Sequence, residues 1–176
     1  GKSKYPQFDE KNDEIGYKGI HIATECQEYF KRISDDINEY TRTNDTHRKR
    51  QRAIIVFFEG KERLMQFKCS GFFRQIHEYQ AVNILTEDTP ESDRDFYIKK
   101  AACLGQVTLA TRNFGRGTDF FSQDGALENL GGVHILQAFF SLQLSEEIQI
   151  RGRTGRQGMK GSYSMVLLSA DEKKSG

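Results

Sequence analysis

The chain has 176 residues, room for one domain with a buried core, and its 36% hydrophobic and 29% charged content reads as soluble and globular rather than disordered. A formal net charge of +1 excludes a whole-surface attraction to nucleic acid or acidic membrane and leaves room only for a local basic patch. No apolar run approaches the ~20 residues of a membrane helix, and the polar start "GKSKYPQFDEKNDEIG" lacks the apolar core of a signal peptide. Cys26, Cys69 and Cys103 are widely spaced, with no CxxC or His/Cys metal spacing. Reduced thiols in the cytoplasm and no metal site are therefore expected.

In chain order, residues 1–20 read as an irregular lead-in and 21–172 as a single domain. Its "GKS" start echoes the end of a phosphate-binding loop. Polar residues and a proline follow where a helix is needed, so the echo reads as accidental. Ile22, Cys26, Tyr29, Phe30, Ile33, Ile37 and Tyr40 recur at helical spacing and predict a long amphipathic helix. "RTNDTHRKRQR" reads as a basic surface loop. "AIIVFF", 53–58, is a continuous apolar run, the pattern of a strand buried on both faces. A helix over "KERLMQFKCSGFF" and a short strand at 81–85 follow. "TPESDRDFYIKKAACL" reads as a helix with Pro90 in its first turn and Phe96, Ile98, Ala101 and Ala102 as its apolar contacts. Further strands are predicted at 106–111, 132–140 and 162–169, with a surface loop at 120–130. "LSEEIQIRGRTGRQ" reads as a helix with Ser145 as its N-cap. The alternation of strand and helix predicts an α/β fold, a mainly parallel sheet between helical layers.

Two glycine-arginine segments carry the chemistry. "TRNFGRGTDF" leaves the carboxyl end of a predicted strand, where open parallel sheets place their sites. Gly115 and Gly117 permit tight turns and close approach of a ligand. Arg116 suits phosphate or carboxylate, and Thr118 and Asp119 suit a ribose hydroxyl. A plain strand-to-helix turn with Asp119 as a cap stays open. In "QIRGRTGRQGMKG", Gln149, Arg153 and Arg156 share one helical face, while Arg151 points roughly the other way. Two guanidinium groups one turn apart call for an anion, and phosphate matches their fork. Gly152 and Gly155 each cost about 1 kcal/mol against alanine in a helix. A solvent-facing basic helix explains the arginines but not these glycines.

These runs resemble a known family. "ATRNFGRGTDF" is similar to motif V, and "QIRGRTGRQG" to motif VI, of superfamily 2 helicase-like motors. With "LGGVHIL" and "QIRGRTGRQGMKGS" in the same order, the pattern resembles the SecA preprotein translocase ATPases from about residue 53 to 169. The threonine-aspartate of motif V and the Gln149-Ile150 start of motif VI depart from the usual DEAD-box pattern. The resemblance implies a RecA-like three-layer sandwich, the second of two such domains, closing over ATP. Mg2+ and the P-loop would belong to a first RecA-like domain, the expected partner within the same parent protein. Arg153 and Arg156 would be arginine fingers on the transferring phosphate. Gln149, Gly115, Gly117, Thr118 and Asp119 would face or order the nucleotide.

The resemblance further implies a motor moving unfolded polypeptide, reaching a membrane translocon only through a partner, with no nucleic acid. A nucleic-acid helicase and a silent RecA-like binding module are the alternatives. The sequence departs from the bacterial pattern at Ala138, Phe139, Phe140, Ser141 and Leu142, where SecA proteins carry a polar run. This puts polypeptide coupling in question. Phe139 and Phe140 either dock another domain or finish the strand. Richness in Lys, Asn, Phe and Ile points to a divergent relative and leaves a eukaryotic source open.

Overall fold

The computed structural model of the chain describes residues 15–41, 51–115, 118, 120, 125–141 and 160–175. Within them lie strands β1 (Ile15–Ala23), β2 (Ile54–Phe58), β3 (Asn83–Leu85), β4 (Val107–Thr111), β5 (Val133–Gln137) and β6 (Gly161–Leu168). The helices are α1 (Cys26–Thr41), α2 (Lys61–Cys69), α3 (Glu91–Ala101), α4 (Gly125–Asn129) and α5 (Ser169–Ser175). The strands form one sheet in the order β1-β6-β5-β2-β4-β3, and every pairing is parallel. The α/β class expected from strand-helix alternation is thus the observed one.

The apolar run at 54–58 explains why β2 lies inside the sheet. Ile54, Val56 and Phe58 join the core on one face, with Tyr29, Ile33 and Ile37 of α1 and Leu64 and Phe67 of α2. Ile55 and Phe57 join the core on the other face, with Ala101 of α3 and Leu127 of α4. Successive side chains of a strand point to opposite faces, so a strand covered on both sides is apolar throughout.

Several boundaries differ from the sequence expectations. The first strand starts at Ile15, inside the range read as an irregular lead-in, and pairs with β6. Its Lys-Gly step breaks the alternation that marks a strand, since Gly19 has φ +98° and the register shifts between Tyr17 and Ile20. Ile22 belongs to this strand and not to the helical stripe, and it is exposed. Phe96 is 62% exposed, and of α3 only Ala101 is buried, so that helix packs less of its surface than its apolar residues suggest. Residues 125–129 are helical where a surface loop was expected, because Leu127 and the preceding Phe120 are buried in the core. The strand expected over 132–140 ends at Gln137. The helix expected around 149–156 lies outside the described residues, as do Arg48, Lys49 and Arg50 of the basic loop.

Arg52 does not belong to a solvated loop. It is half-buried beneath the amino ends of the central strands. Its Nε donates to Gly132 O (2.9 Å), and its Nη2 donates to Gly131 O (3.0 Å) and Ser162 Oγ (2.7 Å). Its guanidinium also lies 5.3 Å from the centre of the Tyr40 ring. Gly131 (φ +110°) and Gly132 (φ +77°) adopt the left-handed conformations that let consecutive carbonyls reach Arg52. A Cβ on Gly132 would lie 1.9 Å from Lys160 O. The "LGG" of the sequence is therefore a structural joint between β5, β6 and Arg52.

His134, one residue into β5, is fully buried. Its Nδ1 pairs with Ser162 Oγ (2.6 Å) and its Nε2 with Ser164 Oγ (2.8 Å). Tyr40 of α1 stacks on the imidazole at 3.6 Å between centroids. Burial holds its pKa well below the ordinary 6.5, and the positive charges of Arg52 and Lys18 add to the depression.

Two measurements test this account. Gly132→Ala combines a left-handed backbone with a backbone clash and loses more than about 2 kcal/mol by urea unfolding. Gly71→Ala, where a Cβ meets nothing within 4 Å, stays within about 0.5 kcal/mol of the parent. The second test is the pH dependence of stability. The unfolded chain protonates His134 near pH 6.5 and the native chain only at lower pH. Stability is therefore full well above pH 6.5 and falls as the pH drops through it, with a slope that approaches about 1.4 kcal/mol per pH unit while His134 is charged only in the unfolded chain. His134→Gln flattens that slope. An unchanged slope in the variant would assign the acid sensitivity to other groups.

Candidate functional site at the carboxyl edge of the sheet

A parallel sheet gathers its loops by type. The turns leaving β2, β3, β4, β5 and β6 all emerge at the carboxyl edge, and that edge is where such sheets bind ligands. The turn after β4 is the 3-10 segment Arg112–Gly115, which opens the motif V run. Its start is fixed by β4, a fully buried strand held between β2 and β3.

Side chains of neighbouring elements hold this turn. Glu87, two residues past β3, accepts hydrogen bonds at Oε1 from Thr111 Oγ1 and from Asn113 Nδ2, both 2.9 Å. Arg94 of α3 lies 5.7 Å from the Phe114 ring centre, and Phe114 is buried. On the opposite side the Arg112 guanidinium lies 5.1 Å from the ring centre of Phe139, just beyond β5. Phe139 is only 2% exposed and Phe140 half-buried, so the described part of the substituted run packs against the turn and core. Of the two expectations for this pair, neither a free docking face nor a continued strand fits Phe139. It is a buried residue past the strand end.

A second cluster ties β2, β5 and β6 together at the same edge. Arg63 of α2 donates from Nη1 and Nη2 to the two carboxylate oxygens of Asp171 in α5, each at 2.9 Å. The fork geometry is the strongest form of this pairing. It raises the Arg63 pKa above its ordinary value, chiefly through the hydrogen bonds Arg63 donates to Asp171. Arg63 also lies over the ring of Tyr29, and the Tyr29 hydroxyl donates to Ala138 O. Burial pushes the Tyr29 phenol well above its usual range, so it stays a neutral donor. Beside this cluster a cleft of about 310 Å³ is lined by Glu59, Gly60, Glu62, Arg63 and Gln66. Neither of the described predicted site residues, Gly115 and Thr118, lines it.

Of those predicted residues, Gly115 is buried at the end of the 3-10 turn and Thr118 is half-buried further along the same run. Arg116, Gly117 and Asp119 lie outside the described residues, and so do Gln149, Arg153 and Arg156. The chain leaves the described part at Ser141, past the carboxyl end of β5, and returns at Lys160, before the amino end of β6. Sequence reasoning missed Glu87, Asn113 and Arg94. Position was the available signal, since Glu87 stands immediately past a strand end, where loops of a parallel sheet converge.

No family model matches the chain. The protein translocase subunit SecA 2 of Bacillus thuringiensis (strain Al Hakam) is 37% identical over 154 residues, covering 87% of this chain and 18% of the relative. The SecA subunit of Lawsonia intracellularis is 43% identical over 75 residues, covering 43% of this chain and 9% of the relative. The chain thus spans less than a fifth of the length of these curated relatives. Among solved structures, domain 2 of the DEAD-box helicase Mss116p bound to an RNA duplex superposes with a TM-score of 0.60 at 16% identity, over 88% of this chain and 55% of that one. The C-terminal domain of the DEAD-box protein Dbp5 gives 0.56 at 17% identity, over 93% of this chain and 87% of that one. At such identities the structural likeness speaks for the fold. The chain is a homologue of the SecA proteins, alike over most of its own length and built on the RecA-like C-terminal-domain fold of superfamily 2 helicases.

Proposed function

We propose that this chain is the second RecA-like domain of a SecA-type motor ATPase and supplies half of an ATP site. The observation that carries the reading is the identity of 37% over 87% of the chain to a protein translocase subunit. Support also comes from geometry, because the motif V turn opens at the carboxyl edge, with Gly115 buried at its end. In this reading Arg153 and Arg156 reach the transferring phosphate and stabilise its developing charge. Gln149, Gly115, Gly117, Thr118 and Asp119 shape and order the nucleotide side. Residues 1–176 contain no complete GxxxxGK[ST] run, so the P-loop and the carboxylate for Mg2+ come from the first RecA-like domain of the parent protein. The remaining partners are an unfolded polypeptide and, through another protein, a membrane translocon. Among the described residues no helix is long and apolar enough to cross a membrane.

A second reading, a RecA-like module that no longer cycles ATP, draws on the described part of the substituted run. Ala138, Phe139 and Ser141 are buried where the polar run of SecA proteins was expected.

Steady-state ATPase of the parent protein separates the two. Arg153→Ala and Arg156→Ala lower turnover by about 10³–10⁵-fold, the range of arginine fingers in other phosphoryl-transfer enzymes, with a much smaller change in ATP affinity. Equal turnover in parent and variants selects the silent module. Residues 1–176 alone show no turnover, and steady hydrolysis by them, abolished by Arg156→Ala, would overturn the half-site. Stimulation by unfolded polypeptide and not by RNA is the expected specificity. The reverse result would make the protein a helicase.

A further inference from the structure

We propose that Glu87 is a positioning residue for the turn Arg112–Gly115 that opens the motif V run, a role that rests on the ATP half-site reading above. Glu87 is exposed, so water could solvate its carboxylate fully. Instead one oxygen, Oε1, accepts from both Thr111 Oγ1 and Asn113 Nδ2 at 2.9 Å. Thr111 is the last residue of β4 and fully buried, whereas Asn113 lies inside the 3-10 turn. A single carboxylate oxygen therefore joins the fixed end of a strand to the turn that continues into Gly115.

The mount that carries Glu87 is itself held. Thr86 N donates to Thr89 Oγ1 (3.0 Å), and Asp88 N donates to Thr86 Oγ1 (3.1 Å). Arg94 donates to the Thr89 and Glu87 carbonyls at 3.1 and 3.2 Å, and the same guanidinium covers Phe114 of the turn. Asp88 pairs with Lys61 at the start of α2, so the loop after β3 reaches past β4 to the loop after β2. Arg112 on Phe139 secures the far side of the turn. Glu87 grips both strand end and turn.

Because Glu87 is exposed, its two bonds add little to global stability. Their effect falls on where the turn Arg112–Gly115 stands, and a displacement of about 1 Å near reacting groups can cost ~10²-fold in rate. The expected signature is lost turnover with retained binding and melting.

The test uses the full-length parent ATPase with Glu87→Ala, Glu87→Gln and Arg156→Ala. Glu87→Ala lowers kcat by about 10- to 100-fold. Its KM for ATP stays within about twofold, and its melting temperature within about 2 °C of the parent. Glu87→Gln keeps a carbonyl oxygen with two lone pairs and restores kcat to within about threefold. A wild-type kcat in Glu87→Ala, or a Glu87→Gln as slow as Glu87→Ala, overturns the assignment. Arg156→Ala reports on the half-site separately. If it turns over like the parent, that reading fails, and amide exchange at 112–115 then decides Glu87 alone. Faster exchange in Glu87→Ala upholds the positioning role, and unchanged exchange removes it.

Discussion

The guanidinium of Arg52 is shared among two carbonyls and a hydroxyl at the amino edge of the sheet, and the alignment of the central strands depends on that sharing. Its donors reach Gly131 and Gly132 before β5 and Ser162 at the start of β6, while Arg52 itself sits two residues before β2. Three strands that are distant in sequence are thus brought to a common starting line. A parallel sheet has no hairpins to set its register, so the alignment has to come from side chains and buried pairing. A half-buried arginine is tolerated here because its donors meet oxygens and the Tyr40 ring covers its face.

The carboxyl edge follows from that alignment. With the starts of β2, β5 and β6 level, β2 and β5 end within a residue of each other and β6 runs on to Leu168, and Ala138, Arg63 and Asp171 meet around Tyr29. Fixing one edge leaves the other free to vary its loops without loosening the core, which is how such sheets host chemistry on a stable frame. The described loops at this edge are held by side chains on neighbouring turns, so each turn's position reports on the next strand over.

Much of the fold was legible in the sequence because burial on both faces writes itself as an unbroken apolar run. "IIVFF" could only be an interior strand, and the alternation with amphipathic helices implied parallel crossovers. β1 was not legible. Its Lys18-Gly19 step interrupts the strand pattern, and the pairing that makes it a strand is with β6, far away in the chain. Arg52 was hidden for a related reason. Inside a run of basic residues it reads as solvated surface, and only its distance to two left-handed glycines reveals its role. The glycine run before β5 was legible as a family signature, yet its cause lies at the amino edge, opposite the candidate site. For the site itself, the sequence pointed to Gly115 through spacing, whereas Glu87 and Arg94 carry no motif. They matter only because the sheet order places β3 beside β4.

That neighbourhood also bears on the substituted run after β5. Within the described part of that run, Phe139 lies beneath Arg112 and covers the turn. Exchanging a polar contact for a ring under a guanidinium keeps the turn and the end of β5 in register, because the cation still finds a partner and the ring is buried against the core. What changes is the range of signals the end of β5 can transmit. A hydrogen-bond network can switch partners when a neighbouring loop moves, while a buried aromatic residue mainly resists displacement. The Phe139 contact thus favours a stiff connection between β5 and the motif V turn, in which movement of one edge loop is passed on as a rigid shift and not as an exchange of partners.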